Sequence, residues 1–269
     1  GVVGRADILA TLGVLLALLA HRRSRLVASR STAAGWRIAA AFAAFGAMGA
    51  KENGVSVIPL AVVWDAFQTR SRRVSDGGPN WWSWSTLRRL MYLLAPAVVY
   101  FGLRYFALEG HFYQRPALTK TVNVLVDAPL WQHALGVLQL WGMYWAKTYW
   151  PSVLCVDYSI NSVRLATSLL DPYVILGTFI AVALIIVAVA GWRKNAPTVA
   201  LLAAAIVVSY APTANAFVLM QVYFAERVWY LPSVWAAVLI VFIAAPVLRV
   251  RAWRAVGIIL LFALTARCW

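Results

Sequence analysis

A chain of 269 residues that is 63% hydrophobic and 12% charged, with 14 tryptophans, lacks the polar shell that a soluble domain of this length needs. Lys and Arg total 24 against 9 Asp and Glu, a formal charge of +15 that in a soluble protein would suggest nucleic acid. Here the basic residues sit in short clusters between apolar runs, so the charge reports topology, and the two cysteines, Cys155 and Cys268, form neither a disulfide framework nor a metal-ligand spacing.

The apolar runs cover 8–20, 38–50, 55–67, 90–108, 173–191, 198–211, 228–247 and 256–266. They predict an all-α, polytopic membrane domain over 1–269 with about eight transmembrane helices. The chain opens at Gly1 without a signal-peptide pattern and ends at Trp269 directly after an apolar run, so flanking sequence is expected on both sides.

Gly4-Arg5-Ala6-Asp7 opens the first run. Arg5 and Asp7 are two apart and face different directions on a helix, so they are expected to bond different partners. Arg22, Arg23, Arg25, Arg30 and Arg37 follow, then Lys51-Glu52-Asn53-Gly54, a turn whose Lys and Glu carry a desolvation cost so close to apolar segments. Arg70, Arg72, Arg73, Arg88 and Arg89 come next, and Arg104 stands near the end of the fourth run.

A long stretch over 109–171 contains Asp127-Ala128-Pro129, an aromatic helix over 131–150, and Pro151 to Asp157-Tyr158-Ser159. Trp131, Trp141, Tyr144, Trp145, Tyr149 and Trp150, with His133 and Lys147, suit a helix lying at the outer interface; a crossing of its own is the alternative. After Arg193, Lys194 and two further runs comes Glu226-Arg227-Val228-Trp229-Tyr230-Leu231-Pro232-Ser233. Glu226, Arg227 and Tyr230 have the spacing to line one face, and a guanidinium there is shaped to grip a phosphate bidentately.

Four alternate connections hold 15 of the 24 basic residues, which places them in the cytoplasm; the opposite side holds seven of the nine acids. Every charged motif with chemical potential thus falls on the outer side.

In order and approximate spacing, Gly4-Arg5-Ala6-Asp7, Lys51-Glu52-x-Gly54, Asp127-x-Pro129, Trp150-Pro151 to Asp157-Tyr158-Ser159 and Glu226-Arg227-x-x-Tyr230-Leu231-Pro232-Ser233 resemble the membrane region of the transmembrane and tetratricopeptide-repeat-containing (TMTC) proteins over about residues 1–235. Ala128 stands where that family usually has Asn, and no repeat of roughly 34 residues is found. The resemblance implies a GT-C-like fold and a glycosyltransferase that moves a sugar, usually mannose, from a polyprenyl or dolichyl phosphate to Ser or Thr hydroxyls of a protein acceptor. The membrane would be that of the endoplasmic reticulum or the bacterial inner membrane, with no cofactor, metal or nucleic acid involved. Arg227, Arg5, Lys51 and Arg104 would face the donor phosphate, supported by Asp7, Glu52, Asp157, Tyr158, Glu226 and Tyr230. The family's candidate catalytic carboxylate lies in the first outer loop and is expected upstream of residue 1. A transporter or flippase of lipid-linked sugars and a non-catalytic scaffold are the rival readings; neither an internal repeat nor deep ionisable groups favour transport.

Overall fold

The computed structural model describes residues 4–76, 84–110, 118–150, 158, 163–194 and 196–248. Among them the regular structure is helical, with no strand: α1 (Arg5–Leu26), α2 (Arg30–Ala50), α3 (Val57–Asp76), α4 (Trp84–Ala107), α5 (Leu130–Tyr149), α6 (Pro172–Arg193), α7 (Pro197–Tyr210) and α8 (Tyr230–Leu248), with 3-10 turns at Glu52–Ser56, Ala211–Thr213 and Glu226–Trp229. The chain is a helical membrane protein, as its composition requires. Among the described residues four segments are long and apolar enough to span a bilayer: Arg30–Ala50, Leu90–Ala107, Pro172–Arg193 and Glu226–Ala245.

Helices α1, α3 and α7 occupy three more of the expected runs, and the run at 256–266 lies outside the described residues. The 14 residues of α7 reach about 21 Å, short of a hydrocarbon core of about 30 Å, and the 3-10 turn at Ala211–Thr213 continues it. Asp171 explains where α6 begins: its Oδ1 accepts from the backbone N–H of Tyr173 (2.9 Å) and Val174 (3.2 Å), with Pro172 at the first helical position.

The described chain divides into two compact units, Gly1–Ala117 with Gly191–Ser209, and Leu118–Ala190 with Tyr210–Trp269. In the first, small residues let helices approach: Ala10, Val14 and Ala17 of α1 and Ala40, Ala44 and Ala47 of α2 are all buried. At the end that the arginine clusters assign to the cytoplasm, a polar network ties three helices. His21 of α1 is fully buried; its Nε2–H donates to Asp65 Oδ1 of α3 (3.0 Å), and its Nδ1 meets the hydroxyl of Tyr92 on α4. Arg25 Nε lies 3.7 Å from the same Asp65 oxygen. Burying a carboxylate in a membrane domain is tolerable because these partners are in place.

The second unit is organised on α5. Leu135, Gly136, Gln139, Leu140, Trp141, Gly142, Met143, Tyr144 and Trp145 are buried, so this helix is wrapped by its own unit along most of its middle. Three of its aromatic residues are core: Tyr144 stacks on Trp229 (5.2 Å, 10°), Trp141 meets Tyr210 (4.7 Å), and Trp145 meets Trp229 (5.6 Å). The other three expected interface rings, Trp131, Tyr149 and Trp150, are exposed. Polar staples fix the connecting segments. Asn123, fully buried, donates to Asn215 Oδ1 and the Met220 carbonyl, both at 2.9 Å, while Gln139 binds the Arg164 carbonyl and the Ala166 N–H. Tyr223 donates to Gln139 Oε1 at 2.8 Å, and burial pushes its phenol above the usual range, which keeps it a neutral donor.

Helices α5 and α6 touch backbone to backbone. A Cβ on Gly142 would lie 2.0 Å from the Tyr173 carbonyl oxygen, and one on Gly177 would lie 2.1 Å from the Leu138 carbonyl oxygen. Neither helix backbone can move aside locally, so Gly142→Ala is expected to cost about 1–3 kcal/mol or more and to lower the thermal midpoint in detergent. Gly46→Ala, where nothing lies within 4 Å, is the matched control. Equal midpoints for the two variants would show that this contact is not tight.

Candidate functional site

The charged motifs that the loop charges assign to the outer side fall into two sets, one in each unit. In the first, Gly54 lets the 3-10 turn Glu52–Ser56 press on the end of α2: a Cβ there would lie 2.3 Å from the Ala47 carbonyl carbon. That turn presents Lys51 and Glu52 in different directions. Lys51 Nζ donates to Asp7 Oδ1 at 2.5 Å, and Arg104 pairs with Glu52 Oε1 while its second nitrogen donates to the Tyr100 hydroxyl at 3.1 Å. Asp7 is 4% exposed and its Oδ2 has no hydrogen-bond partner among the described residues, so Lys51 is the neutralising group of a buried carboxylate. Arg5 is exposed and pairs with no acid among the described residues. Asp7 is thus held by Lys51 and not by Arg5 two residues before it.

In the second unit, the 3-10 turn Glu226–Trp229 leads into α8. Glu226 Oε1 accepts from the Tyr158 hydroxyl at 2.5 Å, and Lys147 Nζ stands 5.8 Å from the centre of the Tyr158 ring. Arg227 is half-buried and makes no ion pair with Glu226 among the described residues. Sequence neighbours point about 120° apart on a 3-10 turn, which separates the carboxylate from the guanidinium beside it. Asp157 lies outside the described residues.

Between α5 and the start of α8 is a cavity of about 230 Å³ lined by Tyr144, Lys147, Thr148, Glu226, Trp229, Tyr230 and Ser233. Four of these belong to the Glu226-to-Ser233 motif singled out from sequence. The α5 contribution goes beyond the sequence expectation, which has Lys147 on an interfacial helix and gives Thr148 no role. The available signal is the recurrence of Tyr144, Lys147 and Thr148 at helical spacings of three and four on a helix otherwise apolar at that face. The paired groups of the first unit were legible as residues but not as pairs.

No family model matches the chain, and no solved structure matches it at a significant level. The curated protein O-mannosyl-transferase Tmtc3 of Drosophila melanogaster is 26% identical over 281 aligned positions, which take in 90% of this chain and 29% of the relative. The chain is a distant relative of the TMTC proteins. The chain spans under a third of the length of this relative. Within this TMTC-related chain the cavity at Glu226–Ser233 is the place where rings, a carboxylate and an ammonium gather.

Proposed function

We propose that the chain forms part of a membrane glycosyltransferase that moves a sugar, mannose by analogy with its relative, from a polyprenyl or dolichyl phosphate to Ser or Thr hydroxyls of proteins. The reaction takes place on the lumenal or periplasmic face, in the endoplasmic reticulum membrane or a bacterial inner membrane. The observation that carries this reading is the cavity at the outer end of α8, built from Glu226, Trp229, Tyr230 and Ser233 beside the half-buried Arg227. In such a transfer the acceptor hydroxyl gives its proton to a carboxylate base, expected upstream of residue 1, as its oxygen attacks the anomeric carbon; the bond to the carrier phosphate breaks, and negative charge collects on that phosphate. A guanidinium at headgroup depth stabilises that charge more as it grows, which is what accelerates the step.

Of the four cations expected at the phosphate, Lys51 and Arg104 are engaged by Asp7 and Glu52. Their role in this reading is to hold the outer ends of α1, the Glu52–Ser56 turn and α4 in register. Arg227 is the cation assigned to the phosphate, and Arg5 remains a candidate of the first unit. Transfer of radiolabelled mannose from a polyprenyl phosphate donor to a Ser/Thr peptide by the full-length protein tests the activity; movement of labelled donor across the bilayer without transfer would turn the reading to a flippase.

The face is tested separately. With Cys155 and Cys268 replaced, a cysteine at Asn53 is expected to react with an impermeant thiol reagent added from the outer side and one at Ser71 to stay unlabelled. Equal labelling of the two would overturn the assignment of sides.

A further inference from the structure

The polar groups of the cavity are unequal in kind. Thr148 Oγ1 donates to the Tyr144 carbonyl (2.8 Å) and accepts from Trp229 Nε1 (2.8 Å), so its one proton is spent inside the protein. Ser233 Oγ likewise donates to the Tyr230 carbonyl at 2.8 Å. The Glu226 carboxylate has only lone pairs to offer and already receives the Tyr158 hydroxyl. Three of the described lining side chains therefore face the cavity as acceptors, and the Lys147 ammonium and the Tyr230 hydroxyl line it as donors, which makes a mixed surface.

A ligand that is itself all acceptor, such as an ionised phosphate, would set its oxygens against three acceptors and leave them unpaired on desolvation. A neutral polyol fits, because each hydroxyl donates as readily as it accepts. The size agrees: about 230 Å³ holds roughly seven waters at about 30 Å³ each, room for one hexose ring. Tyr230, 42% exposed, contributes an open aromatic face, suited to the C–H face of a sugar, while Trp229 is held rigidly by its stack on Tyr144.

We propose that this cavity is a pyranose subsite which takes the neutral sugar of the lipid-linked donor and leaves the carrier phosphate outside it. This deepens the transferase reading and rests on it for the identity of the donor. Arg227 does not line the cavity, so sugar and phosphate are read by adjacent residues of one 3-10 turn.

The test compares binding of mannosyl polyprenyl phosphate with that of bare polyprenyl phosphate to the full-length protein in nanodiscs. The native protein is expected to prefer the sugar-loaded carrier by at least tenfold. Tyr230→Ala should remove that preference while leaving affinity for the bare carrier unchanged; Tyr230→Phe, which keeps the ring, should retain it. Equal weakening of both carriers, or a preference that survives Tyr230→Ala, would overturn the subsite. Transfer assays on the same preparations separate the two readings. Preference without transfer leaves the subsite standing and removes the transferase, whereas transfer with the preference intact in Tyr230→Ala does the reverse.

Discussion

Arg227→Lys is expected to lower sugar transfer by about 100-fold while membrane insertion and abundance stay normal. Arg227 sits in the turn that opens α8, half-buried, and among the described residues no carboxylate competes for its guanidinium. Its sequence neighbour Glu226 is turned into the cavity toward Tyr158 instead. A planar fork with five N–H groups can hold two phosphate oxygens at once; an ammonium keeps the charge but not that geometry. Were Arg227 only an anchor at the headgroups, lysine would replace it with little loss, since either side chain reaches water from an apolar stem. Transfer rates normalised to membrane-inserted protein decide between these: near-native activity of Arg227→Lys would remove the phosphate role.

Lys51→Met is expected to destabilise the first unit by about 3–5 kcal/mol, the largest stability loss among the charged motifs. Asp7 is buried and has Lys51 as its hydrogen-bond partner, with Oδ2 already unsatisfied among the described residues, so removing the ammonium leaves a buried charge with nothing to offset it. The size of this effect contrasts with the neighbouring pair. Glu52 has a side chain 50% exposed, and Glu52→Gln should cost under about 1 kcal/mol, because water replaces what Arg104 supplied. Adding Asp7→Asn to Lys51→Met should recover most of the loss, since the charge is then gone. Chemical or thermal unfolding in detergent reads all three; a double variant as unstable as Lys51→Met would mean that Lys51 acts through packing rather than charge.

Helix positions were largely legible, because apolar runs and arginine clusters are local and long. The pairings were not. Asp7 with Lys51 and His21 with Asp65 each join residues 44 apart, and Glu52 with Arg104 joins residues 52 apart. No local pattern encodes which acid meets which base when helices pack. Neither His21 nor Asp65 belongs to a local motif, yet together they knit α1 and α3. The aromatic load of α5 was ambiguous for a different reason: a ring at a headgroup interface and a ring in a core have the same composition signature. Trp141, Tyr144 and Trp145 turned out to be core, and Trp131, Tyr149 and Trp150 are exposed. Glu226, Arg227 and Tyr230, expected on one face, are divided by the tight turn they sit on: Glu226 and Tyr230 line the cavity and Arg227 does not.

The glycine contact between α5 and α6 acts as a depth gauge. Gly177 lies five residues into α6, which at 1.5 Å per residue is about 8 Å below the start of that helix. Gly142, midway along α5, is pinned there with no side chain between the backbones to allow sliding. Lys147 and Thr148 follow Gly142 by about one and a half turns, so the α5 wall of the cavity inherits its height from α6, a helix long and apolar enough to span the bilayer. In the proposed transferase, a lipid-borne donor would have no freedom to change its own depth either. Two partners each confined to a plane need only meet laterally, and a rigid ruler between span and cavity removes the one coordinate along which diffusion could not correct a mismatch.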